Sequence, residues 1–190
     1  MNPAGAGPAC GGKSIYGAPL GILMLEARFA RIPGDMGNAG TWPFPVLHRV
    51  VSGARPDKVV LGGAADLLPA FVAAGRELVD QGAEAVTTNC GFLSVFQHEL
   101  ARQLQVPVAT SAMMQVPWVQ ALLPPGKRVG VVTVSKAAMT PAHLAGAGAP
   151  ADTNMPPYAA ALQQITGVPV YDIYSMIAWF HAGLRPRVFG

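Results

Sequence analysis

Short apolar runs in this chain alternate with longer segments whose apolar positions recur every three or four residues. The first run, residues 15–25, predicts a buried strand, and residues 46–51 predict a second. Between them lies a loop, 28–41, with Pro33, Gly34, Asp35, Gly37, Asn38 and Gly40; Trp42-Pro43-Phe44-Pro45 follows. That loop reads equally as a lid over a cleft or as a rigid connection with Trp42 and Phe44 packed on the core. Leu67, Leu68, Phe71, Val72, Leu78 and Val79 keep helical spacing and predict a helix over 64–82, with Gly82 at its C-cap. Residues 84–89 predict a strand. A helix follows over 92–104, with Leu93, Phe96, Leu100 and Leu104 on one face. Further along, the pattern predicts strands at 106–108, 128–134 and 168–170. It predicts helices at 113–122, 156–166 and 175–184, and a weak one at 137–147. Strands alternating with helices predict an α/β fold with a mainly parallel sheet.

A faint internal echo divides this pattern. Thr88-Asn89 is followed by a helix and then Val106-Pro107-Val108; Thr153-Asn154 is followed by a helix and then Val168-Pro169-Val170. The echo predicts a first α/β lobe over 13–110 and a reduced second lobe over 111–190, after a disordered Gly/Ala/Pro tail at 1–12. No strand precedes the second Thr-Asn pair, so an internal deletion before Thr153 is expected.

Composition narrows the function classes. Charged residues are 12% of the 190, and the net charge of +3 is spread without a Lys/Arg block, which argues against a nucleic-acid face and leaves room for a small anionic substrate. The longest apolar stretch, residues 18–25, is too short to span a bilayer, and no secretory leader is read at the start. The two cysteines, Cys10 and Cys90, read as reduced thiols of a cytoplasmic protein. The four histidines, His48, His98, His143 and His181, show no metal-ligand spacing. Gly11-Gly12-Lys13-Ser14 lacks the full glycine spacing of a phosphate loop.

The chemistry concentrates at Thr87-Thr88-Asn89-Cys90-Gly91-Phe92. A strand ending there puts a thiol at the carboxyl edge of an open sheet, where ligands of such folds bind. The free amides of the helix expected next would favour the thiolate.

With Leu25–Pro45, 124–130, Thr153–Tyr158, Val168–Asp172 and His181–Pro186, that segment resembles the aspartate/glutamate racemase superfamily, in the branch near the hydantoin racemases. The resemblance implies two similar lobes around a cleft and a cofactor-independent isomerase, an amino-acid racemase with two cysteines flanking the substrate α-carbon. Cys90 matches the first cysteine; Asp152 stands where the second is expected, just before the Thr-Asn-Met-Pro-Pro-Tyr segment. Stabilising a carbanion next to a carboxylate requires preorganised donors, for which Thr88, Asn89, Gly91, Ser111, Thr133, Thr153 and Asn154 are candidates at or near strand ends. The expected partner is a small carboxylate or amino-acid-like substrate, with no nucleic acid and no membrane; homo-oligomerisation stays open. The second reading is a shortened, catalytically inactive racemase homologue acting only as a ligand-binding or interaction protein.

Overall fold

The structure, a computed structural model, describes residues 12–153 and 171–185. The tail at 1–11, Cys10, Asn154, the helix expected at 156–166 and the strand expected at 168–170 lie outside the described residues. Four parallel strands form one sheet: β1 (Leu20–Leu25), β2 (Val46–Val51), β3 (Ala85–Thr88) and β4 (Val108–Ala109), in the order β2-β1-β3-β4. Helices flank it, so the fold is α/β. No helix among the described residues is long and apolar enough to cross a membrane.

β1 shows why an uninterrupted apolar run becomes a central strand. Successive side chains point to opposite faces of a sheet. Leu23 and Leu25 join one buried cluster, while Leu20, Ile22 and Met24 join another. Both faces are covered, as a parallel sheet requires. On the first face lie α1 (Pro56–Leu61), α2 (Leu68–Gln81) and α3 (Gln97–Leu104), which supply Val59, Phe71, Leu78, Leu100 and Leu104 to that cluster. On the second lie the loop after β1, through Met36 and Trp42, and α6 (Ile173–Leu184), through Met176 and Ile177. Strand 15–25 is thus shorter at its start than its hydropathy predicts.

The connection after β1 resolves in favour of the rigid reading. Arg31 pairs with Asp35 at 2.9 Å, Asn38 donates to the Arg31 carbonyl, and Thr41 donates to the Asp35 carbonyl. Trp42 is buried and stacks on Tyr174, and Phe44 stacks on His181. A segment bonded to itself and anchored by two rings is a strut, not a lid.

Helix boundaries differ from their periodicity in a consistent way. The span 64–82 begins as a 3-10 turn, Ala65–Leu67, and becomes α2 at Leu68. Gly82 ends it at φ +131, where a Cβ would lie 2.3 Å from the Ile15 carbonyl oxygen. The span 92–104 likewise opens as a 3-10 turn, Gly91–Phe96, before α3. The span 113–122 divides into a 3-10 turn, Ala112–Gln115, and α4 (Val116–Leu122). α1 escaped the sequence pattern because six residues that bury only Val59 leave no repeat to detect.

No strand forms at 128–134, where Gly130 makes an isolated bridge. The Val129 amide and Lys127 carbonyl are instead bonded by the Gln120 side chain of α4, at 2.9 and 3.0 Å. Beyond it, α5 (Pro141–Gly146) packs on the turn Gly91–Phe96 so closely that a Cβ on Gly146 would sit 2.0 Å from the Ser94 carbonyl oxygen.

Candidate functional site

The strand order locates the site. From β1 the chain crosses one way to β2, then returns to the other side of β1 to lay down β3. Ligands of open α/β sheets bind outside the carboxyl ends where the direction of winding reverses. Here that point lies between β1 and β3. Leu23 is level with Thr88, the Asn89 amide donates to the Leu23 carbonyl, and the Leu25 amide donates to Asn89 Oδ1 at 2.9 Å. Two residues past Thr88, Cys90 leaves the sheet.

Cys90 is half-buried in an extended conformation, φ −138 and ψ 114, immediately before the 3-10 turn. Burial pushes its thiol above the ordinary value; the backbone amides of Phe92 and Leu93 pull the other way and do not compensate. The resting group near neutrality is therefore the thiol. The expected thiolate assumed a full α-helix at Gly91, whereas a 3-10 turn presents a shorter run of aligned amides, and desolvation outweighs it.

Most polar residues around Cys90 are committed to holding strands. Thr88 is fully buried and donates to the Thr110 carbonyl at 2.7 Å. Thr87 does the same to the Ala109 carbonyl at 2.7 Å. Asn89 uses its side-chain oxygen on β1, as above. Ser111 is buried, caps the next 3-10 turn through the Met113 amide, and its Oγ would lie 3.2 Å from a Cβ on Gly91. Gln97 binds β4 from the helix: its Nε2 donates to the Val108 carbonyl at 2.9 Å. Its Oε1 accepts from the Thr110 amide at 3.0 Å and the Thr110 hydroxyl at 2.7 Å. The sequence reading missed Gln97 and Thr110. A buried glutamine on an otherwise apolar helix face was the available signal, because buried amides need partners.

An open groove of about 580 Å³ lies one strand over, lined by Glu26, Ala27, Arg28 and Phe29 after β1 and by Arg55 and Pro56 after β2. Cys90 is not in its lining. The two loops are tied together: the Glu26 amide donates to the Ala54 carbonyl, and Glu26 Oε2 accepts from the Gly53 amide at 2.8 Å. α1, which begins at the groove-lining Pro56, packs against the Gly91–Phe96 turn that follows Cys90.

The remaining candidates stand apart. Asp152 pairs with Arg128 at 2.6 Å in a turn where its side chain is 73% exposed, and it lines a separate cavity of about 210 Å³ with Val116, Gln120, Val129, Pro150 and Thr153. Thr153 bonds its own turn through the Pro150 carbonyl. Thr133 is half-buried in an irregular segment. His143 is buried, bonded to Thr140 through Nδ1, and packed edge-on to Phe92; burial keeps its pKa below the ordinary value. Among the described residues no three His, Cys, Asp or Glu side chains converge as a metal site would need.

The chain is similar to a dimethylsulfoniopropionate lyase of Durusdinium sp. clade D, 24% identical over 132 residues, covering 68% of this chain and 44% of the relative. It is also similar to dimethylsulfoniopropionate lyases 3 and 7 of Emiliania huxleyi strain CCMP1516. Each is 28% identical over 124 residues, covering 64% of this chain and 32% and 36% of the relatives. The chain thus spans between about a third and under half of the length of these curated relatives. No family model and no solved structure matches it. These relatives overturn the resemblance to the aspartate/glutamate racemase superfamily, and with it the isomerase, the amino-acid racemase and the inactive racemase homologue. The relatives are named for a lyase, an enzyme that breaks a bond by elimination rather than inverting a stereocentre. A thiol at a strand end suits any reaction that begins with loss of a proton beside a carboxylate, so the local motif could not separate the two.

Proposed function

We propose that this chain carries the chemistry of a lyase acting on dimethylsulfoniopropionate or a close β-sulfonio carboxylate, with Cys90 as the proton acceptor. The observation that carries this reading is the shared name of the relatives, which align with about two thirds of the chain. The position of Cys90 at the reversal point of the sheet supplies the group.

The substrate's α-carbon lies between a carboxylate and the carbon bearing the sulfonium. In the proposed step the Cys90 thiolate takes the α-proton and becomes a thiol. The C–H electron pair forms the new C=C bond, and the C–S bond breaks with its pair retained by sulfur. Dimethyl sulfide leaves neutral and acrylate remains; the thiol returns its proton to water. No redox partner is required.

A thiol kept protonated by burial must ionise before it can act. The substrate itself supplies the means, because a sulfonium cation brought near the sulfur favours the charged form. The amides of Phe92 and Leu93 assist. The same environment sets the pH dependence: the active form is deprotonated, so the rate rises with pH toward the raised thiol value.

Incubation with dimethylsulfoniopropionate tests the reading directly, with headspace dimethyl sulfide and acrylate measured together. Equal amounts of both products are expected from the native chain. Loss of general-base catalysis in Cys90→Ser lowers the rate about 10²–10⁴-fold. An unchanged rate in that variant removes Cys90 from the role, and no product from the native chain removes the lyase.

A further inference from the structure

The groove at the carboxyl ends of β1 and β2 contains a combination of side chains that the fold uses only in part. Arg28 is exposed and has no carboxylate or carbonyl partner among the described residues. Arg55 spends its Nε on Asp57, at 3.2 Å, and its side chain is largely exposed. Glu26 is held by one carboxylate oxygen, through the Gly53 amide. Phe29 is 58% exposed, an unusual place for a large ring, and one of its faces already carries the Arg31 guanidinium at 4.0 Å. Two guanidiniums, one carboxylate and one aromatic ring therefore converge on one open concavity.

Each of these groups has a matching ligand chemistry. Guanidiniums take carboxylates as paired, directional hydrogen bonds. An aromatic face attracts a soft cation, sulfonium or quaternary ammonium, and a carboxylate alongside adds to that attraction. A ligand with only an anion would be repelled by Glu26; one with only a cation would be repelled by Arg28 and Arg55. A small zwitterion satisfies all four.

We infer that this groove is the subsite for a zwitterionic carboxylate, with Arg28 and Arg55 holding its carboxylate and Phe29 with Glu26 facing its onium group. This assignment rests on the lyase reading for the identity of the onium as a sulfonium, and on the groove itself for the rest. α1, which begins at the groove-lining Pro56, also packs against the turn that follows Cys90.

Binding is measured on Cys90→Ala protein, which silences the proposed chemistry, by calorimetric titration with 3-(trimethylammonio)propionate and with propionate. The zwitterion is expected to bind, and propionate more weakly. Arg28→Ala weakens both by tenfold or more, whereas Phe29→Leu weakens the zwitterion alone. Far-UV circular dichroism of each variant establishes that exposed residues were changed without loss of fold. Equal affinity in Arg28→Ala, or no saturable binding of the zwitterion, overturns the subsite. The two readings fail separately. Arginine-dependent binding without dimethyl sulfide release leaves the subsite and removes the lyase. Dimethyl sulfide release with a KM unmoved by Arg28→Ala and Arg55→Ala leaves the lyase and removes the subsite.

Discussion

The carboxyl edge of the sheet has two halves made of similar polar material and put to opposite uses. Beyond β3 and β4, Thr87, Thr88, Asn89, Gln97, Thr110 and Ser111 are buried or nearly so, and their polar groups bond the backbone of a neighbour. Beyond β1 and β2, Arg28, Arg55 and Phe29 are exposed and hold little. The difference follows from strand length. β4 has two residues and few ladder bonds of its own, so side chains from β3 and α3 must secure it. β1 and β2 pair over six residues each, so the ladder itself holds them, with Asn89 Oδ1 and Glu26 Oε2 as side-chain additions at their carboxyl ends. Polar residues at a sheet edge are thus evidence of binding only after their hydrogen bonds have been accounted for.

The strongest way to break this comparison is Gln97→Leu. It keeps the helix and removes three bonds to Val108 and Thr110, leaving buried groups unpaired. Unmade buried bonds cost about 1–3 kcal/mol each in mutational series, less where a hydroxyl can reorient, so a loss of roughly 2–4 kcal/mol is expected from urea unfolding. Arg28→Ala in the same assay is expected within about 0.5 kcal/mol of the native chain, as for surface changes without structural partners. Equal losses would erase the distinction between the two halves.

Next in size is the pH profile of dimethyl sulfide release. Only the deprotonated thiol accepts a proton, and burial raises its value, so kcat/KM is expected to climb up to about tenfold per pH unit on its acidic limb. That climb extends past the ordinary cysteine range. A profile flat from pH 6 to 9 would mean that another group, not Cys90, titrates.

A smaller effect tests the opposite, amino edge of the sheet. Glu84 precedes β3 and is held at about 2, well below its usual 4.5, by Arg185 and Lys13. A depressed carboxyl stabilises the fold fully above its ordinary value and loses that contribution as the pH falls from 4.5 toward 2. The side chains are a third or more exposed, so solvent screening limits the effect to about 1 kcal/mol or less. Glu84→Gln should therefore flatten the acid limb of thermal stability slightly, and the difference should shrink in high salt. An unaltered acid limb would show the clamp to be silent.

Ser94→Ala carries the smallest change and the opposite sign. Its hydroxyl is fully buried in the turn after Cys90 and has no hydrogen-bond partner among the described residues. Removing an unsatisfied buried group is neutral or stabilising, by about 0–1 kcal/mol. A clear loss of stability would reveal a partner for that hydroxyl.

Much of this was legible in the amino-acid order. Leu20–Leu25 carries no charge and could only be an interior strand; the Phe71, Val72 and Leu78 spacing could only face a core as a helix; and Cys90 stood out at the end of the third strand. Such features are local, because burial and period are written within a dozen residues. What the order could not express was which polar groups would be consumed by the fold. Thr88 and Asn89 look like ligand donors until β4 and β1 are placed beside them. Residues 128–134 look like a strand, yet among the described residues only Gly130 makes a bridge there, and Asp152 meets Arg128 in an exposed turn. Arg28 and Arg55, 27 positions apart, became one cluster only because parallel pairing sets the ends of β1 and β2 side by side. Hydrophobic pattern decides which segments are interior; pairing and burial in three dimensions decide which polar atoms remain free to act.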